Sequence, residues 1–223
     1  MKSTTMKVLV TAGSTLMSID QVRAITNIFK GKTGTAIATF IAHTKADVTL
    51  VTSNPAIASK IDTMSVIPYK TYADLAEIME QQIVHGAYDI IIHSAAVSDF
   101  FVSNVCVMDT DGQLVKIDAT KKVSSAYPKL YLELSPTEKL INKIRSDWGY
   151  SGKLIKFKLE VEKTYDELIS IAIASVRASG ADLIVANCLE WCDRSAVIIY
   201  ADGAYIEVDR HKLPEELWRR INR

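Results

Sequence analysis

Four short runs constrain the fold most: KVLVT (7–11), DVTLVT (47–52), SVIPY (65–69) and YDIIIHS (88–94). Each is rich in β-branched residues and bounded by turn formers, which predicts a strand. Each is apolar nearly throughout instead of alternating, so both of its faces have to be covered. Between them, TGTAIATFIAHT (33–44) and TYADLAEIMEQQIV (71–84) space apolar residues at three and four, as helices with one buried stripe do. Strands buried on both faces, separated by one-sided helices, predict a mostly parallel sheet with helices on either side.

The second half adds other elements. NVCVMDTDGQLVKI (104–117) has a Thr-Asp-Gly turn between alternating runs, and VIIYADGAYIEV (197–208) has an Asp-Gly turn; both predict hairpins. LYLEL (130–134) is a further strand, followed by PTEKLINKIR with Pro136 suited to the first turn of a helix. KLIKFKLEV (153–161) and ADLIVAN (181–187) flank the helical TYDELISIAIASVRAS (164–179), and PEELWRRI closes the chain as a helix. With no repeat, low-complexity tract or linker, the reading is one domain over 1–223. Its class is α/β, three-layered and Rossmann-like, with a mostly parallel sheet, helices on both faces and an added β-hairpin flap.

Composition narrows the partners. The chain is 48% apolar and 23% charged, enough to bury a sizeable core. Lys+Arg and Asp+Glu balance at 26 each, so no global field recruits nucleic acid or an anionic membrane. The start, MKSTTMKVLV, is too short in its apolar run for a signal sequence, and no stretch is long enough to span a bilayer. A cytoplasmic chain is expected. Cys106, Cys188 and Cys192 are too few for a disulfide framework, and free thiols are expected.

Chemistry concentrates in a few stretches. KGKTG (30–34) shares letters with a Walker A loop, but position 26 is threonine where that motif needs glycine, and the stretch stands far beyond its strand. What survives is that Gly31 and Gly34 open a helix whose free N–H groups could hold a phosphate, with Lys32 nearby. A plain glycine-marked helix start fits equally. SAAVSDF (94–100) follows the fourth strand, at the edge where open α/β sheets bind ligands. Asp99 there could accept from a hydroxyl, hold a magnesium ion, or simply cap the next segment. KKVSS (121–125) is either a solvated connector or a basic flap. Of His43, His85, His93 and His211, none has metal-ligand spacing, and only His93 adjoins the SAAVSD turn. No nucleophile elbow G-x-S-x-G is present.

Together these segments resemble one family, phosphopantothenate–cysteine ligase, also called phosphopantothenoylcysteine synthetase. The resemblance rests on VTAGST…SIDQVRAITN followed by GKTG, on SAAVSDF, KVSS, SPTEKL, FKLE and DLIVAN, in the family's order from residue 7 to about 190. It implies a ligase of coenzyme A biosynthesis that joins 4'-phosphopantothenate to L-cysteine. A nucleoside triphosphate, CTP or ATP with magnesium, would first nucleotidylate the carboxylate; the cysteine amine would then displace the nucleoside monophosphate. The resemblance further implies a homodimer with the site at its interface, and a decarboxylase on a separate polypeptide for the next step.

Residue by residue, Lys122 matches the family's flap lysine and Asn27 its intermediate-binding asparagine. Arg23 matches the arginine that meets the acyl substrate from the neighbouring subunit. Ala95, Ala96 and Asp99 match the substrate- and nucleotide-facing turn, and His93 and Ser94, which lead into it, are expected to bind the nucleotide with it. Gly13, Gly31 and Gly34 match glycines at the triphosphate. Phe157, Asn187 and the segment Pro136, Thr137, Glu138, Lys139 match nucleotide-pocket positions. No magnesium ligand is assigned. The chain departs from the family at Ser14, where a second glycine is usual, and at Phe29-Lys30, where a serine pair is usual. Ser175 and Ser179 stand where CTP-using members carry two helix lysines, which leaves the base open. FKLEV lacks the glycine and threonine of GF-x-x-ET, and Cys188 replaces the aspartate of AND. The alternative these departures motivate is a divergent, non-ligating paralogue that binds a nucleotide or phosphorylated acid.

Overall fold

The computed structural model describes residues 5–58 and 60–222. The chain opens with β1 (Lys7–Ala12), the short strands β2 (Leu16–Ser18) and β3 (Ala24–Thr26), α1 (Lys32–His43), β4 (Asp47–Thr52) and β5 (Met64–Pro68). Then come α2 (Tyr72–His85), β6 (Ile90–His93), β7 (Phe100–Met108), β8 (Leu114–Ile117), β9 (Tyr131–Pro136) and α3 (Leu140–Ser146). The last part holds β10 (Lys153–Glu160), α4 (Tyr165–Ser179), β11 (Leu183–Cys188), β12 (Ser195–Tyr200), β13 (Tyr205–Asp209) and α5 (Leu213–Ile221).

Eight strands form one sheet in the order β13-β12-β11-β10-β6-β1-β4-β5. From β11 to β5 every pairing is parallel, and the β12–β13 hairpin extends the β11 edge antiparallel. Alternation along β1 divides the core. Val8, Val10 and Ala12 face α1 and α5, while Leu9 faces α2, α3 and α4. All four are fully buried, so helices cover both faces of the sheet as the unbroken apolar runs require. Each buried Val or Leu of this kind contributes roughly 1.5–3 kcal/mol.

Local chemistry fixes the helix starts. Thr71 caps α2 and Thr164 caps α4, each in a reciprocal capping box with Asp74 or Glu167. α1 is the exception: its N-cap is Gly31, in the left-handed conformation, with no capping side chain.

Both predicted hairpins form, β7–β8 around Gly112 and β12–β13 around Gly203. β9 joins β7 on its other side to make a separate three-stranded antiparallel sheet. Pro136 requires a correction: it ends β9 opposite Phe100, and the helix begins only at Leu140. The ring has no N–H to donate, which an edge strand tolerates at its end. Thr137 then turns the chain by donating its N–H to Asp99 O at 2.9 Å. The β2–β3 hairpin, unforeseen in the sequence, fills residues 16–26.

Candidate active site at the carboxyl edge of the sheet

The chain reverses direction across the sheet at β1: α1 leads to β4 on one side, and α2 leads to β6 on the other. A switch point of this kind opens a crevice beyond the carboxyl ends of the two strands. Gly13 leaves β1 there, and Ser94–Asp99 leaves β6. The two segments run side by side, with Ala96 N–H donating to Gly13 O at 2.7 Å and a parallel bridge between Ser14 and Ala96. Hydroxyls continue the pairing where the ladder stops. Thr11 Oγ1 accepts from Ala95 N–H at 3.2 Å, and Thr15 Oγ1 accepts from Ser98 N–H at 2.9 Å.

Glycines let α1 press onto this edge. Gly31 has φ +78°, and a Cβ there would meet Gly13 N at 2.5 Å. A Cβ on Gly34 would meet Ser94 Oγ at 2.3 Å and Ala12 Cβ at 2.7 Å. The first-turn N–H groups of α1 lack intrahelical acceptors and carry the positive end of the helix dipole. No acidic residue stands in that turn to satisfy them.

They open into a cavity of about 600 Å³ lined by Gly13, Phe29, Lys30, Gly31, Lys32, Gly34, Ser94, Ala95, Ala96, Phe157, Lys158, Asn187, Asp193 and Arg210, among others. Four cationic side chains thus face one carboxylate. The Arg210 guanidinium donates to the Thr33 hydroxyl, and burial draws its pKa below the usual value. Free N–H groups, a helix dipole and local cations in one concavity suit an anionic group such as a phosphate.

A second cavity, of about 330 Å³, shares Ala95, Phe157 and Lys158 with the first. His93, Asp99, Thr137, Glu138 and Lys139 lie on its wall, with Lys156 from β10 and Ser175 and Ser179 from α4. Lys156 is buried, and its Nζ donates to Ser175 O at 3.2 Å, Ser175 Oγ at 3.0 Å and Ser179 Oγ at 3.3 Å. Burial, then the charges of Lys158 and Lys139, push its pKa down to about 8. His93 is also buried, its Nδ1 2.9 Å from Thr11 Oγ1. Burial and the Lys156 charge lower its pKa to about 4, so the ring is neutral at pH 7. Asp99 is paired with Lys139, and Glu138 with Lys143.

The structure therefore gathers Gly13, Gly31, Gly34, Ser94, Ala95, Ala96, Phe157 and Asn187 around the larger cavity, and His93, Asp99, Thr137, Glu138 and Lys139 around the smaller. Asn27 reaches the rim, donating from Nδ2 to Ala96 O at 3.2 Å. Asn27 itself lines neither cavity, and three further residues also stand apart from both linings: Pro136 at the end of β9, Arg23 on the β2–β3 hairpin, and Lys122 in the exposed 118–130 loop. Arg23 is bound within its own chain, to Asp20 and to Val123 O. Among the described residues no cluster of three His, Cys, Asp or Glu could hold a metal ion.

Lys156 and Arg210 escaped the sequence reading. A lysine inside KLIKFKLEV, a strand covered on both faces, was the available signal for Lys156. Arg210 reaches Thr33 across 177 positions of chain, and nothing local marks it.

Fold and site together define a doubly wound α/β protein with a cation-lined cavity at its switch point. The chain belongs to the family described as DNA/pantothenate metabolism flavoprotein C-terminal domain, which matches residues 3–221. The family resemblance read from the sequence stands. The Coenzyme A biosynthesis bifunctional protein CoaBC of Thermococcus kodakarensis is 33% identical over 222 residues, covering 97% of this chain and 51% of that protein. The chain thus spans about half the length of the curated relatives it matches. The DNA/pantothenate metabolism flavoprotein of Streptococcus pneumoniae superposes with a TM-score of 0.85 at 30% identity, over 97% of this chain and 98% of that one. A solved Cab2 mutant in complex with phosphopantothenate-cysteine shares the fold at TM-score 0.70 and 14% identity, over 97% and 85% of the two chains.

Proposed function

We propose that the chain is a phosphopantothenate–cysteine ligase domain of coenzyme A biosynthesis that works through an acyl-nucleotide formed from CTP or ATP. The observation that carries this reading is the uncapped α1 N-terminus pressed against Gly13, beside Lys30, Lys32 and Arg210 in a 600 Å³ cavity. That cradle suits a triphosphate, and the adjoining cavity beyond Phe157 has room and donors for the rest of a nucleotide.

In the first step a carboxylate oxygen of phosphopantothenate attacks the α-phosphorus, and pyrophosphate leaves. Negative charge builds on the α-phosphate oxygens, where fixed N–H groups and cations lower the barrier without reorganising. Lys122 supplies a further charge from the 118–130 loop. In the second step the cysteine amine attacks the acyl carbon, the nucleoside monophosphate leaves, and the amine sheds a proton. Asn27, already hydrogen-bonded at Ala96, holds the intermediate without attacking it. Arg23 meets the acyl substrate across a dimer interface. Magnesium, if carried by the triphosphate, would shield its charge, and Asp193, the carboxylate lining that cavity, is the residue that would help to hold it.

The test is pyrophosphate release in the presence of phosphopantothenate and CTP or ATP, followed by product formation when cysteine is added. Release with one nucleotide supports the ligase and names its base. No release with either nucleotide, together with measurable nucleotide binding, would support a non-ligating binder instead.

A further inference from the structure

Asp20 uses its two oxygens differently. Oδ1 accepts from Val22 N–H and Arg23 N–H, both at 2.8 Å, which closes the turn between β2 and β3. That would suffice for a turn-forming aspartate. Oδ2 does something the turn does not need. It accepts from Arg23 Nε at 3.0 Å and Nη2 at 2.5 Å, and from the N–H of Val123 at 3.0 Å, a residue 103 positions further along. Arg23 completes the grip by donating from Nη2 to Val123 O at 2.9 Å. Both backbone polar groups of Val123 are therefore taken by one ion pair, as a single rung of sheet would take them.

Val123 is an isolated anchor. β8 has ended at Ile117 and β9 has not begun until Tyr131, so no ladder holds the loop between them. Within 118–130 Val123 is the one buried residue, at 3% exposure; Lys121, Lys122 and Ser124 beside it are exposed. Its buried N–H and C=O need partners, and the Asp20–Arg23 pair supplies them. The Asp20 carboxylate is buried. The Arg23 guanidinium first, then backbone N–H groups, hold its pKa far below the usual range, so the negative end of the grip is ionised.

We propose that Asp20 is a positioning residue: through Arg23 and Val123 it fixes the 118–130 loop, and Lys122 with it, against the β2–β3 hairpin. The role assigned to Lys122 rests on the ligase reading; the grip on the loop does not. A catalytic cation displaced by about 1 Å can lose on the order of a hundredfold in rate, so a single anchored residue next to Lys122 is enough to matter.

Asp20→Asn tests this, because it keeps the shape and removes the charge and one acceptor. Tryptic cleavage after Lys121 and Lys122, followed by mass spectrometry, is expected to speed up at least tenfold relative to cleavage after Lys212. The saturated rate of pyrophosphate release is expected to fall about tenfold or more, with KM for the nucleotide within twofold. In a Lys122→Ala background Asp20→Asn is expected to change the residual rate less than twofold, since both act through one group. Unchanged cleavage after Lys121 and Lys122 would overturn the proposal, and so would fully additive rate losses in the double variant. If Asp20→Asn folds poorly, Val123→Ala loosens the same anchor and is read in the same two ways. If the parent releases no pyrophosphate, the ligase reading fails and the protease measurement alone decides the anchor.

Discussion

His93 and Lys156 line one small cavity, and burial holds each toward its uncharged form. For His93 the ordinary value is 6.5 and the folded value about 4. The unfolded chain therefore binds the extra proton between those limits. The stability from keeping His93 neutral is complete above pH 6.5 and is lost as the pH falls through about 4. A shift of this size corresponds to on the order of 3 kcal/mol. His93→Gln retains a partner for Thr11 and removes the titration. Urea unfolding at pH 7 and pH 4.5 is expected to show the parent losing about 2 kcal/mol more than the variant; equal losses would refute it. Lys156 runs the other way along the pH axis. Its value drops from 10.5 to about 8, so the charged amine opposes folding below pH 8, and that opposition fades by pH 10.5. Lys156→Met is expected to stabilise the fold at pH 7 by on the order of 1–3 kcal/mol. The gain should shrink toward pH 10, and nucleoside triphosphate binding should weaken in calorimetry. A lysine retained against stability in a cavity wall is the pattern of a functional group. At pH 4.5 the two variants should not add, because the Lys156 charge is one of the two causes that lower His93.

At the scale of elements, α1 differs from its neighbours in how it starts. α2 and α4 carry Thr caps in full capping boxes, whereas α1 begins at a glycine with an empty first turn. Gly34→Ala measures how closely α1 must approach. Alanine would add up to about 1 kcal/mol in helix propensity. Its Cβ, however, would meet Ala12 Cβ at 2.7 Å and Thr11 O at 3.1 Å, atoms of a central strand that cannot yield. Overpacking of this kind costs about 1–3 kcal/mol, so net destabilisation in urea and weaker triphosphate binding are expected; wild-type values for both would show that the contact is slack. Legibility in the sequence follows the range of the interaction. Helix α2 was readable from apolar residues spaced at three and four, the hairpins from their Asp-Gly turns, and the parallel sheet from strands with no polar face. The β2–β3 hairpin was not, because three-residue strands have no period to detect and polar bonds such as those of Asp20 hold them. Pro136 misled because a proline that suits a helix start suits the end of an edge strand equally. The glycines and the SAAVSD turn marked the crevice, but Lys156 bonding to α4 and Arg210 bonding to Thr33 are tertiary events without a local trace.

For the whole molecule, the uneven distribution of exposed apolar side chains bears on assembly. Val22, Ile25 and Ile28 stand exposed on and beside the β2–β3 hairpin, and Phe100, Phe101, Leu114, Val115 and Leu134 on the three-stranded sheet. β2 packs beside β7, so the two sets belong to one flank of the molecule, while the large sheet exposes large apolar side chains only at its β13 edge, Tyr205 and Ile206, among the described residues. Exposed apolar surface gathered in this way marks an interaction site. The hairpin also carries Arg23, which lies outside both cavities of its own chain. A homodimer formed through this flank would cover the apolar side chains and could bring Arg23 toward the partner's site, as the proposed ligase requires. Phe101→Asp places a charge on that flank at little cost to the monomer, because the residue is 46% exposed. The parent is expected to sediment as a dimer at micromolar concentration, and Phe101→Asp as a folded monomer with an unchanged far-ultraviolet spectrum. Coupled loss of ligation would follow if Arg23 works across the interface, and mixing Phe101→Asp with excess parent chain should not restore it. A parent that sediments as a monomer throughout, or a monomeric variant with full activity, would confine the site to one chain and leave Arg23 with the structural duty it already performs beside Asp20.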